Sequence, residues 1–214
     1  MKKMLLLAYA FASTLLLSSF ALAQSPAATQ SSQVRSVKHQ VLTSTDLPAI
    51  RIRFDKSFKY VGTQKFLLYD RANVEQHFFV DADNQQHIKR MAMVQFEGYL
   101  PNINATYDYP ATKTVNLGGQ TYIVNAENIP NVSTTLKQNP QSDAARAASF
   151  LDSKGFRIGE SIMFQRFVRL VDSTKRNEFI LLYVENMGTS ASSESEKARE
   201  EFLSRALRCF TVLE

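Results

Sequence analysis

HIKRMAMVQFEGY, residues 87–99, carries the strongest indication of the fold class. Successive side chains of a β-strand point to opposite faces of a sheet. On that alternation, four apolar residues fall on one face and two methionines on the other: Ile88, Ala92, Val94 and Phe96, against Met91 and Met93. Because both faces are apolar, this stretch is predicted to be a central strand covered on both sides.

Further strand-like stretches lie on either side, separated by turn signals. They are residues 50–54, 60–69, 74–80, 114–117, 121–124, 160–171 and 178–184. Gly118 and Gly119 suit a two-residue hairpin turn. The polar residues 125–141, interrupted by prolines, are expected to form a loop. This pattern is typical of antiparallel hairpins.

Two helices are predicted, one between the strand-like stretches 121–124 and 160–171 and one after the last strand. Ser142 can cap a short, Ala-rich helix over about residues 143–154, and a longer amphipathic helix is expected over about 194–212. Strands followed by helices, without regular alternation, indicate an α+β fold. We expect a mostly antiparallel, curved sheet built from hairpins, with both helices packed on one face.

The first 23 residues have the three parts of a secretory signal peptide. Lys2 and Lys3 precede an apolar run, and Ala21-Leu22-Ala23 forms a small-x-small cleavage site. The alternative is an uncleaved anchor, because residues 4–23 reach the roughly 20 residues that span a bilayer. We expect cleavage after Ala23 and export to the periplasm or the cell exterior. No transmembrane segment is expected after cleavage, and a flexible segment (24–36) would then precede a single α+β domain (37–214).

Composition excludes several classes of protein. The 214 residues are 44% hydrophobic and 21% charged, which suits an ordinary globular domain. The single cysteine, Cys209, excludes an internal disulfide and zinc sites that need several thiolates. Without residues 1–23 the chain has 23 basic and 20 acidic residues, too small an excess to indicate nucleic-acid binding.

A group of histidines and carboxylates on one predicted hairpin could hold a divalent metal ion. It comprises Glu75, His77, Asp81, Asp83 and His87. The alternative is that both aspartates form a turn and both histidines face solvent. The spacing also lacks the glycine and distal glutamate of a calcium loop. No Gly-rich phosphate loop is found, so no cofactor is predicted.

No catalytic residue is assigned from the sequence. No Gly-x-Ser-x-Gly motif is found, and Cys209 lies beside the apolar stripe of the last helix, where a core position is expected. Glu97 is the most interesting acid, because it lies between Phe96 and Tyr99 on the long strand. The alternative is an outward strand residue, since no partner acid can be named.

Two arginines are candidates for ligand binding because alternation directs them toward apolar faces. Arg90 shares a face with Ala92, and Arg166 shares one with Phe164. A charge there must be paired, reach solvent or meet an anionic ligand. The alternatives are a β-bulge or a rim position beside a carboxylate such as Glu97. Met93, Phe96 and Tyr99 are first of all expected to be core residues, and if the sheet is curved they would line an apolar pocket. Together with Glu97 and the two arginines they are the candidates for ligand binding.

These features together predict an exported, non-enzymatic domain. It would bind a small apolar or amphipathic ligand between the sheet and the C-terminal helix, or a partner in the cell envelope. A hydrolase of an unrecognised type, using Glu97 or the His77 region, is the alternative. A structural role is a third possibility, with contacts through a strand edge or the Tyr107 and Tyr109 loop. The sequence indicates no oligomeric state.

Overall fold

A computed structural model describes residues 34–110, 113–188 and 195–213. Gln33–Glu214 form one compact unit. Its strands are β1 (Arg35–Lys38), β2 (Val41–Thr45), β3 (Ala49–Phe54), β4 (Lys59–Leu68), β5 (Ala72–Ala82), β6 (Ile88–Tyr99), β7 (Thr114–Leu117), β8 (Gln120–Ile129), β9 (Ile162–Leu170), β10 (Asn177–Asn186) and β11 (Phe210–Leu213). Its helices are α1 (Val132–Gln138), α2 (Asp143–Ser153) and α3 (Glu196–Arg208). The predicted α+β class, mostly antiparallel with a C-terminal helix, is confirmed.

Seven strands form the larger sheet, in the order β4-β5-β6-β10-β9-β8-β7, and every neighbouring pair is antiparallel. The register aligns Gln76 of β5 with Gln95 of β6, and Glu97 of β6 with Glu178 of β10. Strand β6 lies between β5 and β10, and most of it is buried. The predicted central strand is therefore confirmed.

The inner face of this sheet packs against the second sheet, β1-β2-β3-β11, and against α3. We use "inner face" for the side that carries Phe79, Val94 and Phe179. Phe202 and Ala206 of α3 are fully buried in the same cluster. This side of the sheet therefore has a filled hydrophobic core.

The outer face, on the opposite side, carries Phe78, Met91 and Met93 and is covered by α2. Helices α2 and α3 thus pack on opposite faces of the large sheet, and the expectation that both lie on one face is wrong. The physical reason is that the long strands are apolar on both faces, so each face needs its own cover. The curvature of the sheet stays a prediction.

Three boundaries differ from the sequence predictions. The predicted C-terminal helix ends at Arg208, and the chain continues as strand β11. Residues 125–141 are not a loop, because β8 runs to Ile129 and α1 follows, its N-cap Asn131 accepting a 3.2 Å hydrogen bond from the Thr134 amide. Strand β1 begins at Arg35, two residues inside the segment expected to be flexible.

The alternation predicted for β6 fails at its first residue. A register shift between Asp81 and Ala82 pairs Asp81 with Arg90 and Ala82 with Ile88. Ile88 consequently packs with Met91 and Met93 on the outer face rather than with Ala92. A β-bulge of this kind adds one residue to a strand and reverses the side-chain direction beyond it.

The predicted signal peptide, most of the expected flexible segment and Glu194 lie outside the described residues. Within residues 34–110, 113–188 and 195–213, no helix is long and apolar enough to span a membrane.

Candidate functional site

A row of buried amide side chains crosses the outer face from the sheet edge toward the start of α2. Gln64 Nε2 donates to Gln76 Oε1 at 2.7 Å, and Gln76 Nε2 donates to Gln95 Oε1 at 2.6 Å. Gln95 Nε2 in turn donates to Glu97 at 2.7 Å and to Asp143 at 3.2 Å. Gln76 and Gln95 are fully buried. The Gln95 amide is therefore a shared donor for two carboxylates, Glu97 of the sheet and Asp143 of α2.

Glu97 has a second carboxylate as its cross-strand neighbour, because it pairs with Glu178 on β10. Side chains of directly opposite residues start about 5 Å apart, and like charges there are unfavourable. Tyr107 Oη donates to Glu97 at 2.8 Å, and Tyr109 Oη donates to Glu178 at 2.6 Å. The partner acid that could not be named from the sequence is Glu178.

The environment of this pair raises both carboxyl pKa values. Burial is the largest cause for each, and the neighbouring carboxylates add to it. The pKa of Glu178 rises to about 7, although the Tyr109 hydrogen bond and the charge of Arg166 act in the opposite direction. The two glutamates therefore differ from ordinary surface acids near neutral pH.

The loop that carries Tyr107 and Tyr109 is held by Arg176, the residue directly before β10. The Arg176 guanidinium donates to the carbonyls of Leu100 at 2.7 Å and Ile103 at 2.6 Å. The Tyr107 ring stacks on Tyr99, with centroids 4.4 Å apart. These contacts fix the loop over the carboxylates, which explains how residues far apart in sequence meet here.

An apolar cavity of about 380 Å³ adjoins this site, between the outer face and helices α1 and α2. Its lining includes Met93, Phe164 and Leu182 from the sheet, with Leu136 of α1 and Ala148 of α2. The Ala-rich face of α2 is the physical reason for the space, since methyl groups do not reach far enough to fill it. Volumes above about 300 Å³ are usual for small-molecule sites.

Three charged side chains also line the cavity: Glu127, Asp143 and Arg166. Asp143 lies at the end where Gln95 binds it. Arg166 Nε donates to Asn125 Oδ1 at 2.9 Å, and the guanidinium carbon lies 5.4 Å from the centre of the Tyr109 ring. The predicted orientation of Arg166, on the face of Phe164, agrees with the strand register. Its role in ligand binding stays a prediction.

The remaining ligand-binding candidates are dispersed. Met93 lines the cavity and Glu97 lies in the carboxylate pair, whereas Phe96 belongs to the inner core and Tyr99 packs on Tyr107. Arg90 is a rim residue of the inner face, where its Nε donates to Asp81 at 3.0 Å. Phe96 and Met93 point to opposite faces, so the six candidates do not share one face of the sheet. Their role in ligand binding stays a prediction.

The metal candidates do not converge. His77 Nε2 lies 2.9 Å from Glu75 Oε1 and its Nδ1 lies 3.2 Å from Tyr60 Oη, in a buried position. Asp83 and His87 form an exposed pair at 3.2 Å in the turn. Asp81 is paired with Lys89 and Arg90. The described part of the chain contains no group of three or more His, Cys, Asp or Glu residues suited to a metal ion.

The expectation that His77 faces solvent is wrong, because only 2% of it is exposed. It lies on the inner face, which the second sheet covers. The His77–Glu75 contact is part of a charged network: burial raises the pKa of Glu75, but the His77 hydrogen bond and the Arg35 charge lower it to about 2. This network serves as an internal ion pair rather than as a metal site.

A larger hollow of about 490 Å³ is lined by residues of both sheets. Arg35, Lys65 and Glu75 line it, with nitrogens of the two cations 2.9 and 3.3 Å from the Glu75 carboxylate. Asp46 and Glu97 line it as well, so five charged side chains border the hollow and an apolar tail would find little apolar surface there. The outer cavity is the stronger candidate.

Sequence reasoning missed Glu178 and Asp143 as site residues and treated Tyr107 and Tyr109 only as a possible contact loop. The available signal for Glu178 was its position at the start of β10, the strand that pairs with β6. The strand order, which sequence patterns do not specify, was needed to place it beside Glu97.

Comparison with models of known families, with curated proteins and with solved structures finds no significant match. The function is therefore argued from the geometry of the site.

Proposed function

We propose that this protein is an exported, non-enzymatic domain that binds a small amphipathic ligand in the cavity beneath α1 and α2. The observation that supports the proposal is the cavity itself, about 380 Å³ with a mostly apolar lining that also includes three charged residues. Ligand sites typically combine an apolar lining with a few placed polar groups.

The contrast between the two faces of the large sheet strengthens the argument. Protein interiors are close-packed and contain few voids larger than a water molecule. The core of the inner face follows this rule, because Phe179, Tyr183 and Phe202 are fully buried in one cluster. The larger hollow lies beside this core and has a charged lining. The outer face does not, because alanines occupy the α2 positions that oppose Met91 and Met93. A space kept open beside a well-packed core is consistent with a binding role.

This location differs from the one expected from the sequence, which placed the ligand beneath the C-terminal helix. That interface is filled, since Phe202 and Ala206 of α3 are fully buried. The proposal therefore moves the ligand to the opposite face of the sheet.

The test is to fill the cavity. In Ala148→Phe a ring is added to a residue that lines the space, whereas Ser149→Phe adds the same ring to an exposed position on the same helix. Titration with N-phenyl-1-naphthylamine, a neutral fluorescent apolar probe, is expected to saturate for the wild type and for Ser149→Phe. Ala148→Phe is expected to lose the signal. Absence of saturable binding by the wild type, or unchanged binding by Ala148→Phe, would overturn the proposal.

A hydrolase is the second candidate, and the cross-strand pair Glu97 and Glu178 is the observation that favours it. Paired carboxylates with separated pKa values are used in general acid–base catalysis. The pair is less accessible to a substrate than the cavity is to a ligand, because Glu178 is only 3% exposed and lines neither space. Glu97 lines the larger hollow but not the apolar cavity. Hydrolysis of nitrophenyl esters or glycosides by the wild type, abolished in Glu97→Gln, would favour the enzyme.

Export is proposed from the signal-like residues 1–23. Expression of the full chain in a diderm bacterium is expected to yield protein outside the cytoplasm whose mass corresponds to an N-terminus at Gln24. Retention of Met1 in a membrane fraction would favour the uncleaved anchor instead. Binding to an envelope protein would appear as a partner recovered by crosslinking in the same fraction.

A further inference from the structure

We propose that the outward face of the second sheet docks onto a membrane surface that carries anionic lipid head groups. By outward face we mean the side of β1-β2-β3-β11 that points away from the large sheet. The cavity beneath α1 and α2 lies on the other side of the large sheet, so this inference does not depend on the proposed ligand site.

The strands of the second sheet carry positive charge and no negative charge. Their basic residues are Arg35, Lys38, Arg51 and Arg53, and none of the four strands contains an aspartate or a glutamate. The large sheet is different, because β5, β6, β8 and β10 each contain at least one acid. The excess of positive charge is therefore a local property of the second sheet.

Strand alternation places most of this charge on the outward face. Burial alternates strictly along β3, so Arg51 and Arg53 point away from the large sheet and are exposed. Lys38 of β1 lies in the same row as Arg53, because both pair with the same residue of β2. Thr43 and Thr211 lie directly beside these arginines and add hydroxyl donors. The face thus presents several donors to an anion in one layer.

A recess of about 380 Å³ at one end of this face adds further basic residues. Its ionisable lining residues are His39, Arg53, Lys56, Arg208 and Asp55. The single acid, Asp55, is already engaged, because its Oδ1 accepts hydrogen bonds from the Ser57 amide at 2.9 Å and the Ser57 hydroxyl at 2.6 Å. Basic side chains outnumber the acid, so the recess suits a phosphate group.

The cations of the face have no counter-charge within the described part of the chain. No carboxylate oxygen there lies within 4 Å of a side-chain nitrogen of Lys38, Arg51, Arg53, Lys56 or Arg208. Elsewhere in the molecule Arg35, Arg90 and Arg205 are each paired with an acid. Unpaired charge of one sign on one face attracts a surface of the opposite sign.

An anionic membrane surface fits this face better than a nucleic acid does. The aromatic residues of the four strands, Phe54 and Phe210, are buried in the core, so no ring is presented on which a base could stack. The major groove of a duplex admits a helix or a two-stranded ribbon, whereas this sheet has four strands. Lipid head groups require only basic side chains that reach one plane, and each such side chain strengthens the attraction.

The test is flotation of the purified protein with phospholipid vesicles. The wild type is expected to bind vesicles of equal parts phosphatidylglycerol and phosphatidylcholine, and not to bind vesicles of phosphatidylcholine alone. Binding should weaken strongly when the salt concentration rises from about 0.1 M to about 1 M, because the screening length falls from about 10 Å to about 3 Å.

Removing two charges from the face should weaken vesicle binding markedly. Arg51→Gln combined with Arg53→Gln is expected to lower the partition coefficient about 25-fold, or about fivefold for each charge. The matched control is Arg71→Gln combined with Arg157→Gln, which removes two exposed charges outside the second sheet and should cost less than about threefold. All forms share one N-terminus, so residues 1–23 cannot cause a difference between them.

Circular dichroism checks that each variant is folded. If the first double variant does not fold, Lys38→Gln combined with Lys56→Gln tests the same face, and a similar loss of binding is expected. Failure of the wild type to bind the phosphatidylglycerol vesicles would overturn the inference. So would equal losses in the face and control variants, or tighter binding to a DNA duplex than to the vesicles at the same salt concentration. Dye binding in the cavity is expected to be unchanged in all these variants, so the two proposals fail separately.

Discussion

Gln95 is the residue on which the site depends most directly. Its amide links the row from β4 to the two carboxylates, accepting from Gln76 and donating to both Glu97 and Asp143. Buried polar networks stabilise a structure when every member has a partner, and destabilise it when one is removed. The network explains why fully buried amides are tolerated in the middle of an apolar sheet.

We expect Gln95→Leu to lower the free energy of unfolding by about 3 kcal/mol, because it removes one hydrogen bond each from Gln76, Glu97 and Asp143 in a buried position. Urea unfolding followed by circular dichroism measures the effect. Gln64→Leu is the control at the sheet edge, where water can replace the lost bond, and a loss below about 1 kcal/mol is expected. Equal losses in the two variants would contradict the role assigned to the row.

Glu178 gives a prediction for the dependence of stability on pH. Its pKa is raised from the ordinary 4.5 to about 7, so the native state holds this proton more tightly than the unfolded state does. The resulting stabilisation is complete below about pH 4.5 and is lost as the pH rises through about 7. The expected loss is about 3 kcal/mol between pH 5 and pH 8.

Glu178→Gln should remove most of this slope, measured by urea unfolding at several pH values. Glu75 acts in a different window, because its pKa of about 2 adds stability that is lost only below pH 4.5. A slope between pH 5 and pH 8 that is identical in the variant and the wild type would show that Glu178 is not the titrating group.

At the scale of elements, α2 has a well-capped N-terminus, but the side chains on its sheet-facing side are mostly small. Ser142 Oγ accepts a 3.1 Å hydrogen bond from the Ala145 amide, and Asp143 places a negative charge in the first turn. Its contact with the sheet relies on Leu151 and on alanines, of which several border the cavity. Phe150 adds a second large contact, because its ring stacks on Phe78 with centroids 4.7 Å apart. Both large side chains lie near the C-terminal end of the helix, and the space beside the alanines remains open.

We expect Ser142→Ala to lower stability by about 1 kcal/mol through loss of the N-cap bond. Ser149→Ala, at an exposed interior position of the same helix, should be neutral or slightly stabilising, because alanine is the better helix former. Thermal unfolding of the two variants provides the measurement. A smaller effect of Ser142→Ala than of Ser149→Ala would contradict the assigned cap.

At the scale of the whole molecule, two unlike layers cover one sheet. The inner layer, β1-β2-β3-β11 with α3, is filled by aromatic residues. The outer layer, α1 and α2, leaves a cavity. The inner core supports the sheet, so the loosely filled outer layer can persist on a rigid support. The proposed function uses this outer layer for binding.

The last strand is part of the inner layer. Phe210 of β11 pairs with Phe54 of β3 and packs edge-on against Phe167 of the large sheet, with centroids 5.5 Å apart. We expect Phe210→Ala to cost about 3–5 kcal/mol and the exposed neighbour Thr211→Ala less than about 0.5 kcal/mol, measured by urea unfolding. A loss below about 1 kcal/mol in Phe210→Ala would show that β11 is dispensable.

Much of the local structure follows from local signals. The alternation in residues 87–99, the glycines at 118 and 119 and the cap at Ser142 are short-range patterns, and the strands, the hairpin and α2 appear where those patterns place them. Residues 125–129 were not recognised as part of a strand because several of them are polar. They belong to β8, one face of which lies at the rim of the cavity. Local patterns also leave open which face of a two-sided apolar strand each helix will cover.

The sequence by itself determined the class of fold, the central place of β6 and the orientation of Arg166, because these depend on a two-residue period and on turn residues that act over short distances. Tertiary structure alone decided the pairing of Glu97 with Glu178, the position of Tyr107 and Tyr109 over them, and the cavity beneath α2. The physical reason is that strand order and helix placement are set by the burial of whole faces. That burial brings together residues that are far apart in the sequence and have no regular spacing.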